Sequence, residues 1–252
     1  MPTKIALITG ASRGLGRNAA LHLARAGTDV VLTYHRGQAD ATRVVEEIRG
    51  HGRKAEALQL DVGQTSTFKD FAARLIKSLR QTWDRDRFDI LVNNAGIGIS
   101  KPFMETTEAD FDELMNIHFK GTFFITQTLL PILNDGGRII NLSSGLARMT
   151  LPGYSAYASM KGGIEVLTRY LTKELGPRRI TVNVIAPGAI ETDFGGGHVR
   201  DNAELNAQIA ARTPLGRVGL PDDIGGVVSL LLSDEAYWIN GQRIEVAGGI
   251  HA

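Results

Sequence analysis

The run IALITGASRGLG, residues 5–16, decides the fold, because an apolar strand passes through a glycine-rich turn into a helix. The strand is predicted over residues 5–9 and the helix over residues 14–26. Glycine permits a tight turn and a close approach of the backbone to a phosphate, and the start of a helix offers free N–H groups. The glycines are spaced Gly-x-x-x-Gly-x-Gly, not the commoner Gly-x-Gly-x-x-Gly. The turn predicts a nucleotide-phosphate site, with an ordinary strand-to-helix turn as the alternative.

Apolar runs rich in β-branched residues alternate with longer segments of helical period along the rest of the chain. Strands are predicted over residues 5–9, 29–34, 55–60, 90–93, 137–143, 181–186 and 243–246. Helices are predicted over residues 14–26, 39–51, 66–82, 107–133, 155–175 and 221–232. Several strands are apolar throughout, as expected for a sheet covered on both faces. The pattern predicts an α/β fold, a doubly wound parallel sheet of the Rossmann type with helices on both faces.

No repeat, low-complexity tract or linker divides the sequence, so we expect a single dinucleotide-binding and catalytic domain over residues 1–252. Residues 190–218 interrupt the pattern and contain three consecutive glycines at positions 195–197. A long segment without regular structure is usually a lid or a disordered loop. We expect residues 190–218 to form a substrate lid, with a mobile surface loop as the alternative.

The composition excludes several classes of function. The chain has no cysteine, which excludes disulfides, thiolate metal sites and a cysteine nucleophile. A net charge of +1 favours neither nucleic acid nor an anionic membrane as a partner. No apolar stretch approaches the roughly 20 residues of a membrane span, and the first residues leave no room for a signal peptide, so we expect a cytoplasmic protein. His22, His118 and His198 lack metal-ligand spacing with neighbouring carboxylates, and we assign no metal.

Tyr157 and Lys161 stand four residues apart in a predicted helix, with Ser144 thirteen residues upstream of the tyrosine. Helical geometry places Tyr157 and Lys161 on the same face. A nearby ammonium group is expected to lower the pKa of the phenol from its usual value of about 10, which would make Tyr157 a general acid or base near neutral pH. Ser143 competes with Ser144, but neighbouring strand residues point to opposite faces, and the spacing to Tyr157 favours Ser144.

Five motifs occur together in the order and spacing of a known family: the turn 10–16, Asn93-Asn94-Ala95-Gly96, Ser144, Tyr157-x-x-x-Lys161 and Pro187-Gly188. Over nearly its whole length the chain resembles the short-chain dehydrogenase/reductases. The runs 137–144 and 181–188 resemble most strongly the branch of 3-oxoacyl-carrier-protein reductases and related ketone reductases. The resemblance implies an NADPH-dependent reductase that transfers a hydride to a ketone, such as an oxoacyl thioester, to give a secondary alcohol.

The resemblance implies four catalytic residues. Ser144 hydrogen-bonds the substrate carbonyl, Tyr157 protonates the developing alkoxide, and Lys161 holds the ribose hydroxyls and keeps the phenol acidic. Asn116, through its side chain or a local helix distortion, anchors a water that connects Lys161 to solvent; a buried asparagine without a catalytic part is the alternative. Such roles are consistent with the chemistry, because donors fixed where charge develops on oxygen lower the barrier of hydride transfer.

The resemblance also implies which residues contact the dinucleotide. They are Gly10, Ser12, Arg13, Gly14, Leu15, Gly16, His35, Arg36, Asp61, Val62, Asn93, Ala95, Gly96, Tyr157, Lys161, Pro187, Gly188, Ile190 and Thr192. No acidic residue follows the second strand until Asp40, whereas NAD-binding relatives place one there. Arg13 and Arg36 are expected to clamp a 2′-phosphate, with a hydrogen bond from His35, so NADPH/NADP is expected over NAD. Surface charges for the two arginines, and a helix cap for Asp61, are the alternatives.

Two other functions stay open. An alcohol or sugar dehydrogenase that works oxidatively with NAD is disfavoured by the missing acidic residue, and a nicotinamide-binding scaffold without turnover is disfavoured by the intact Ser144, Tyr157 and Lys161. The resemblance implies a homo-oligomer, a tetramer built through two long helices and the carboxyl-terminal segment. Side chains expected to line a partly apolar pocket for a small-molecule carbonyl substrate are Ile97, Leu146, Met149, Tyr154 and Phe194.

Overall fold

The computed structural model describes residues 3–250, which contain one seven-stranded parallel sheet. The strands are β1 Ile5–Ile8, β2 Asp29–Tyr34, β3 Ala55–Gln59, β4 Phe88–Asn93, β5 Leu133–Leu142, β6 Thr181–Pro187 and β7 Arg243–Val246. Their order is β3-β2-β1-β4-β5-β6-β7, and every neighbouring pair is parallel. The chain reverses its direction of travel across the sheet between β1 and β4, which is where open parallel sheets bind ligands. The predicted fold class is confirmed.

The helices of the described chain pack on both faces of the sheet. They are α1 Gly14–Arg25, α2 Gln38–Gly50, α3 Phe68–Trp83, α4 Glu108–Leu114, α5 Gly121–Leu129, α6 Ser155–Leu175, α7 His198–Asp201, α8 Ala203–Arg212 and α9 Pro221–Leu231. A π-helical segment, Met115–Lys120, joins α4 to α5. Along β1, Ile5 and Leu7 point into the core that contains α3 and α5, while Ala6 and Ile8 point into the core that contains α1, α2 and α9. The alternation explains why the strands are apolar throughout.

The single helix predicted over residues 107–133 is wrong, because the chain there forms α4, the π-helical segment and α5. Thr107 and Asp110 form a capping box that starts α4. Pro131 stands in a 3₁₀ turn, Leu130–Ile132, immediately after α5, because a proline has no N–H to continue the helical ladder. Strand β5 then begins at Leu133, earlier than the predicted start at residue 137.

The irregular structure predicted for residues 190–218 is also wrong. The segment holds α7 and α8, and its ends meet in an isolated parallel bridge between Ile190 and Gly219. The three glycines all have positive φ angles, between 61° and 81°, and form the turn between Phe194 and His198. The Asn202 side chain accepts a hydrogen bond from the Leu205 N–H and so caps α8.

Candidate active site

The candidate site lies at the carboxyl ends of the central strands. Glycine positions of the turn after β1 leave no room for side chains. A Cβ on Gly10 would lie 2.8 Å from the Ala95 Cα, and a Cβ on Gly16 would lie 2.7 Å from the Gly10 carbonyl oxygen. Gly10 and Gly14 also have φ angles of +65° and +56°, which L-residues with side chains rarely adopt. The turn therefore holds its backbone N–H groups around the start of α1, where an anion would bind.

The side chains of Ser12 and Leu15, both in the glycine-rich turn, face different surroundings. A Cβ on Gly37 would lie 3.6 Å from the Ser12 Oγ, so the Ser12 hydroxyl faces the turn between β2 and α2. Leu15 packs against the core with α1, so only its backbone is available to a ligand.

Asn94, which the sequence analysis left out, is the asparagine that holds the phosphate turn. Its side-chain amide donates to the carbonyl oxygens of Thr9, at 2.9 Å, and Gly10, at 3.1 Å. The Thr9 hydroxyl accepts hydrogen bonds from the N–H groups of Asn94 and Ala95, both at 3.0 Å. The sequence feature that could have identified Asn94 is its position directly after the fourth strand.

Asn93 stabilises the sheet beside the expected cofactor site. Its buried side-chain amide donates to the Thr126 hydroxyl at 3.0 Å and to the Asn141 Oδ1 at 2.8 Å, and so ties β4 to α5 and β5. Both amide hydrogens are therefore used inside the fold, which leaves none to donate to a ligand.

The ends of β2 and β3 place charged groups beside the turn. Arg13, His35 and Arg36 are exposed, and within residues 3–250 neither guanidinium group forms a salt bridge. The His35 Nε2 lies 3.4 Å from the Asp61 Oδ2, and the Asp61 Oδ1 accepts a hydrogen bond from the Gly63 N–H at 2.9 Å. Asp61 thus stabilises its own turn through the Gly63 N–H, and it caps neither the 3₁₀ turn at Thr65–Thr67 nor α3, so the cofactor contact stays a prediction.

Val62 is buried against the π-helical segment. A Cβ on Gly121 would lie 2.3 Å from the Val62 carbonyl oxygen. The backbone of Val62 therefore packs against the chain at the start of α5, and the expected cofactor contact of Val62 stays a prediction.

Ser144, Tyr157 and Lys161 are brought together at the end of β5 and the first turns of α6. The Lys161 Nζ lies 5.7 Å from the centre of the Tyr157 ring and donates a hydrogen bond to the Leu142 carbonyl oxygen at 2.8 Å. The Ser144 hydroxyl lies close enough to Tyr157 to lower the pKa of the phenol, and it accepts a hydrogen bond from the Leu146 N–H at 3.2 Å. Ser143 points the other way, and its hydroxyl donates to Glu165 at 2.7 Å. The structure therefore favours Ser144 over Ser143, as strand alternation predicts.

Burial sets the protonation of the tyrosine and lysine. Burial raises the pKa of Tyr157 above its usual value of 10, and the neighbouring Ser144 hydroxyl lowers the pKa by less. The expectation that Lys161 would lower the pKa of the phenol is wrong, because removal of the phenolate from water outweighs the other effects. Burial also lowers the pKa of Lys161 from 10.5 to about 7. Tyr157 thus holds its proton at neutral pH, beside a lysine that can take up or release one.

His118, rather than Asn116, is the polar side chain of the π-helical segment that contacts the tyrosine. The His118 and Tyr157 rings pack edge to face, with centres 5.1 Å apart. The His118 Nε2 lies 2.7 Å from the Ile97 carbonyl oxygen, while its buried Nδ1 has no hydrogen-bond partner among residues 3–250. Burial and the charge of Lys161 hold the pKa of His118 well below its usual range, so the ring is neutral. The expected helix distortion is present, but Asn116 uses its backbone carbonyl there to accept from the Gly121 N–H.

Gly96 makes room for this histidine. A Cβ on Gly96 would lie 2.7 Å from the His118 Cε1, so no larger residue fits while the ring holds its place. The cofactor contact expected at Gly96 stays a prediction, and the neighbour that needs the space in this structure is His118.

The segment after β6 forms the far wall of the groove. Pro187 ends β6, and the Gly188 N–H donates to the Val246 carbonyl at 3.0 Å. A Cβ on Gly14 would lie 4.0 Å from the Thr192 Cβ, so Thr192 faces the phosphate turn across the groove. The Thr192 hydroxyl accepts from the Phe194 N–H at 3.2 Å, and Ile190 holds the bridge to Gly219.

The expected substrate side chains surround Tyr157. The Phe194 ring lies 5.7 Å from the Tyr157 ring and the Tyr154 ring lies 6.3 Å from it. Ile97, Leu146 and Tyr154 pack around Tyr157 in one apolar cluster. A cavity of about 430 Å³ opens beside the cluster and is lined in part by Leu146, Met149 and Tyr154. The surroundings of the tyrosine are therefore mainly apolar.

Residues 3–250 contain no group of three or more histidine, aspartate or glutamate side chains placed to hold a metal ion. No helix in the same residues is long and apolar enough to cross a membrane.

Comparison with known sequences matches residues 10–251 to the family model described as enoyl-(acyl carrier protein) reductase. The chain is 38% identical over 257 residues to the hydroxynaphthalene reductase-like protein Arp2 of Metarhizium brunneum, covering 98% of this chain and 94% of that protein. It is 39% identical over 249 residues to an uncharacterized oxidoreductase of Methylorubrum extorquens, covering 98% of this chain and 97% of that protein.

Solved structures agree over the same length. The promiscuous reductase LugOII, described as catalysing keto-reduction at C1 in lugdunomycin biosynthesis, superposes with a TM-score of 0.94 at 35% identity and covers 99% of this chain and 98% of that one. The angucycline C-6 ketoreductase LanV with bound NADP superposes with a TM-score of 0.93 at 36% identity, covering 98% of this chain and 95% of that one. At this similarity, the resemblance extends to the family as well as to the fold.

Proposed function

The chain belongs to the short-chain dehydrogenase/reductase family, and from that premise we propose that it is an NADPH-dependent oxidoreductase that reduces a ketone to a secondary alcohol. The observation that carries the proposal is the meeting of Ser144, Tyr157 and Lys161 beside the phosphate turn. The oxidative NAD dehydrogenase and the scaffold without turnover are not favoured by any contact in the site.

The groove fits a dinucleotide. Gly10 and Gly16 bring the backbone close to Ala95 and Asn94, and the start of α1 is left open for a pyrophosphate. Thr192 lies across the groove from Gly14, where it could contact the nicotinamide end. When bound, the nicotinamide supplies the hydride. The protein supplies position and electrostatics.

Preference for NADPH rests on the turn after β2. Ser12 lies beside Gly37, so Arg13 and Arg36 emerge from neighbouring turns. Both guanidinium groups are exposed and form no salt bridge within residues 3–250, which leaves them available for a 2′-phosphate. The carboxylate nearest the turn after β2 is that of Asp40 in α2, which would lie 3.1 Å from a Cβ on Gly37 and is paired with the Arg43 guanidinium.

The chemistry follows from the protonation of the three side chains. As the substrate oxygen gains negative charge, the Tyr157 hydroxyl donates its proton to that oxygen and the Ser144 hydroxyl donates a hydrogen bond. The raised pKa of Tyr157 means that the phenol carries its proton at neutral pH and gives it up only to a strong base such as an alkoxide. With a pKa of about 7, Lys161 can return a proton to the phenolate and take another from solvent.

An apolar ketone suits the surroundings of Tyr157. The cavity of about 430 Å³ beside Leu146, Met149 and Tyr154 admits a bulky substituent, and the Phe194 ring covers the tyrosine from the side of residues 190–218. We propose that residues 190–218 act as the substrate lid, because the bridge between Ile190 and Gly219 joins the two ends of the segment and its Phe194 ring reaches the Tyr157 ring. The whole chain, 1–252, then acts as one catalytic domain.

We also propose a homotetramer. Exposed apolar side chains follow one another on the two long helical regions, namely Phe123 and Phe124 of α5 and Val166 and Tyr170 of α6. Contiguous exposed apolar surface often marks a protein interface. Light scattering at micromolar concentration should give four times the mass of one chain, and a monomer would contradict the proposal. The cytoplasmic location stays part of the proposal, since a reductase of this kind needs a supply of NADPH.

A substrate panel tests the proposed function. Polycyclic aromatic ketones, oxoacyl thioesters, keto sugars and an enoyl thioester should be assayed with NADPH and with NADH, following the loss of absorbance of the reduced nicotinamide. We expect turnover of at least one ketone with NADPH, and faster than with NADH. Turnover confined to the enoyl thioester would replace the proposal by reduction of a carbon–carbon double bond.

The Tyr157→Phe variant tests the mechanism. It should lower kcat by about a thousandfold or more, because general acid catalysis contributes about 10²–10⁴-fold, while NADPH binding measured by fluorescence stays within about twofold. Tyr170→Phe is the matched control, since Tyr170 lies on the same helix but is 65% exposed, and it should keep full activity. Retention of more than a few per cent of activity by Tyr157→Phe would refute the assignment.

A further inference from the structure

Arg243 is a buried cation on the last strand, and its guanidinium reaches the residue that carries the catalytic hydroxyl. Only 7% of its side chain is exposed. Its Nη2 donates to the Ser144 carbonyl oxygen at 3.2 Å, its Nε donates to the Glu165 Oε1 at 2.5 Å, and its Nη1 donates to Glu245. One planar group thus binds a loop, a helix and its own strand.

Glu165 extends this contact to the other catalytic residues. It lies one helical turn beyond Lys161 on α6, and its side chain is 12% exposed. The Ser143 hydroxyl donates to the Glu165 Oε1 at 2.7 Å, and also lies 3.3 Å from the Lys161 carbonyl oxygen. The turn after β5 is therefore attached to α6 through Ser143 and to β7 through Ser144.

The Arg243 guanidinium binds the Ser144 carbonyl at the point where β5 no longer pairs with β6. The pairing of β5 with β6 ends at Leu142 and Ile185, and Ser143 still donates its N–H to the Ile185 carbonyl at 2.8 Å. Beyond that point the Ser144 carbonyl accepts from two donors, the Arg243 Nη2 and, at 3.1 Å, the Ala147 N–H of the following 3₁₀ turn, and no neighbouring strand holds it. The Ser144 hydroxyl and carbonyl leave the same residue, so a rotation of this peptide would carry the hydroxyl away from Tyr157.

We propose that Arg243, held by Glu165, is a positioning residue that fixes the Ser144 peptide so that the serine hydroxyl meets the substrate oxygen beside Tyr157. The inference rests on the proposed ketone reduction. Arg243 touches neither substrate nor cofactor, and its effect on the reaction passes through Ser144.

The Arg243→Lys variant removes the planar fork and keeps the charge. A single ammonium group does not reach three acceptors on three elements at once. We expect kcat for the best ketone of the panel to fall about tenfold or more, because a small misplacement of a catalytic group is costly, while the NADPH dissociation constant and the ketone KM stay within about twofold. Arg138→Lys is the matched control: Arg138 is equally buried, binds Asp234 and the Leu232 carbonyl, and lies in the middle of β5, away from Ser144. It should keep kcat within about twofold, even if the melting temperature falls.

The Ser144→Ala background separates positioning from a structural role. If Arg243 acts through Ser144, Arg243→Lys should cause no further loss of kcat once the serine hydroxyl is gone. Loss of the full tenfold in both backgrounds, or no loss in either, would overturn the inference. If Ser144→Ala itself leaves kcat unchanged, the proposed role of Ser144 fails, and the inference about Arg243 fails with it. If Ser144→Ala lowers kcat and Arg243→Lys lowers it further by the full factor, the proposed function stands. Only the inference that Arg243 positions Ser144 is then refuted.

A second variant covers the case in which Arg243→Lys does not fold, judged by circular dichroism. Glu165→Gln keeps an oxygen that accepts from Ser143 and Arg243 but loses the charge that holds the guanidinium. We expect the same loss of kcat, again absent in the Ser144→Ala background. A fully active Glu165→Gln would refute the claim that Glu165 holds Arg243 in place. An equal loss of kcat in the wild-type and Ser144→Ala backgrounds would refute the claim that the effect passes through Ser144.

Discussion

Lys161 should make the stability of the ligand-free protein rise with pH. Its ammonium is buried beside the Leu142 carbonyl, and burial lowers its pKa from 10.5 to about 7. Between pH 7 and pH 10 the unfolded chain therefore binds a proton at this lysine that the folded chain has largely released. Stability rises with pH wherever the unfolded state binds more protons.

The size of the effect follows from the two pKa values. Each pH step in which only the unfolded chain is protonated contributes about 1.4 kcal/mol, and the folded lysine is itself half-protonated near pH 7. The free energy of unfolding should thus gain about 2 kcal/mol between pH 7 and pH 9 from this one residue. Tyr157 does not change the free energy of unfolding between pH 7 and pH 9, because its pKa is raised above 10. The stabilisation that comes from its protonated form is lost only at higher pH.

Urea unfolding of the ligand-free protein at pH 7, 8 and 9, at fixed ionic strength and protein concentration, measures the gain. Lys161→Met fills the same volume without a charge, so its free energy of unfolding should vary with pH by about 2 kcal/mol less than the wild type. Lys120→Met, which removes an exposed lysine from the π-helical segment, is the control and should follow the wild type. Equal pH slopes for the wild type and Lys161→Met would show that the lysine stays charged when buried and would refute the reasoning.

Three more predictions concern the groove. Gly16→Ala places a Cβ 2.4 Å from the Asn94 amide nitrogen, so the NADPH dissociation constant should rise about tenfold or more by fluorescence titration; an unchanged constant would mean that the turn does not hold the phosphates. Arg36→Glu should lower kcat/KM with NADPH by about 10- to 100-fold and change the value with NADH by less than about threefold, and equal losses with both would contradict a 2′-phosphate contact. His118→Phe keeps the edge-to-face contact with Tyr157 but leaves the Ile97 carbonyl without a donor. The melting temperature and kcat should therefore both fall. Full activity would show that the His118 ring serves only as packing.

The fold and the tyrosine–lysine pair could be predicted because each depends on local spacing. Alternating apolar runs gave the parallel sheet, and four helical residues place Tyr157 and Lys161 on one face. The helix over Ala203–Arg212 was equally open to prediction, since strong helix formers follow a capping asparagine, but the neighbouring glycines hid it.

The parts that could not be predicted depend on contacts distant in sequence. A π-helical segment has a wider turn than an α-helix, so the helical period no longer tells which of Asn116 and His118 faces Tyr157. The pKa of Tyr157 depends on how deeply the ring is buried, which spacing to a lysine does not reveal. The contact of Arg243 with Ser144 joins residues 99 positions apart and has no local signal.

The bridge between Ile190 and Gly219 has an evolutionary consequence. Because the two ends of the α7–α8 excursion meet at one point of the scaffold, helices there can be lengthened, shortened or replaced while the strands beneath keep their register. New substrates can then be recruited by remodelling this appendage alone, with the proton donor and the nucleotide cradle inherited unchanged.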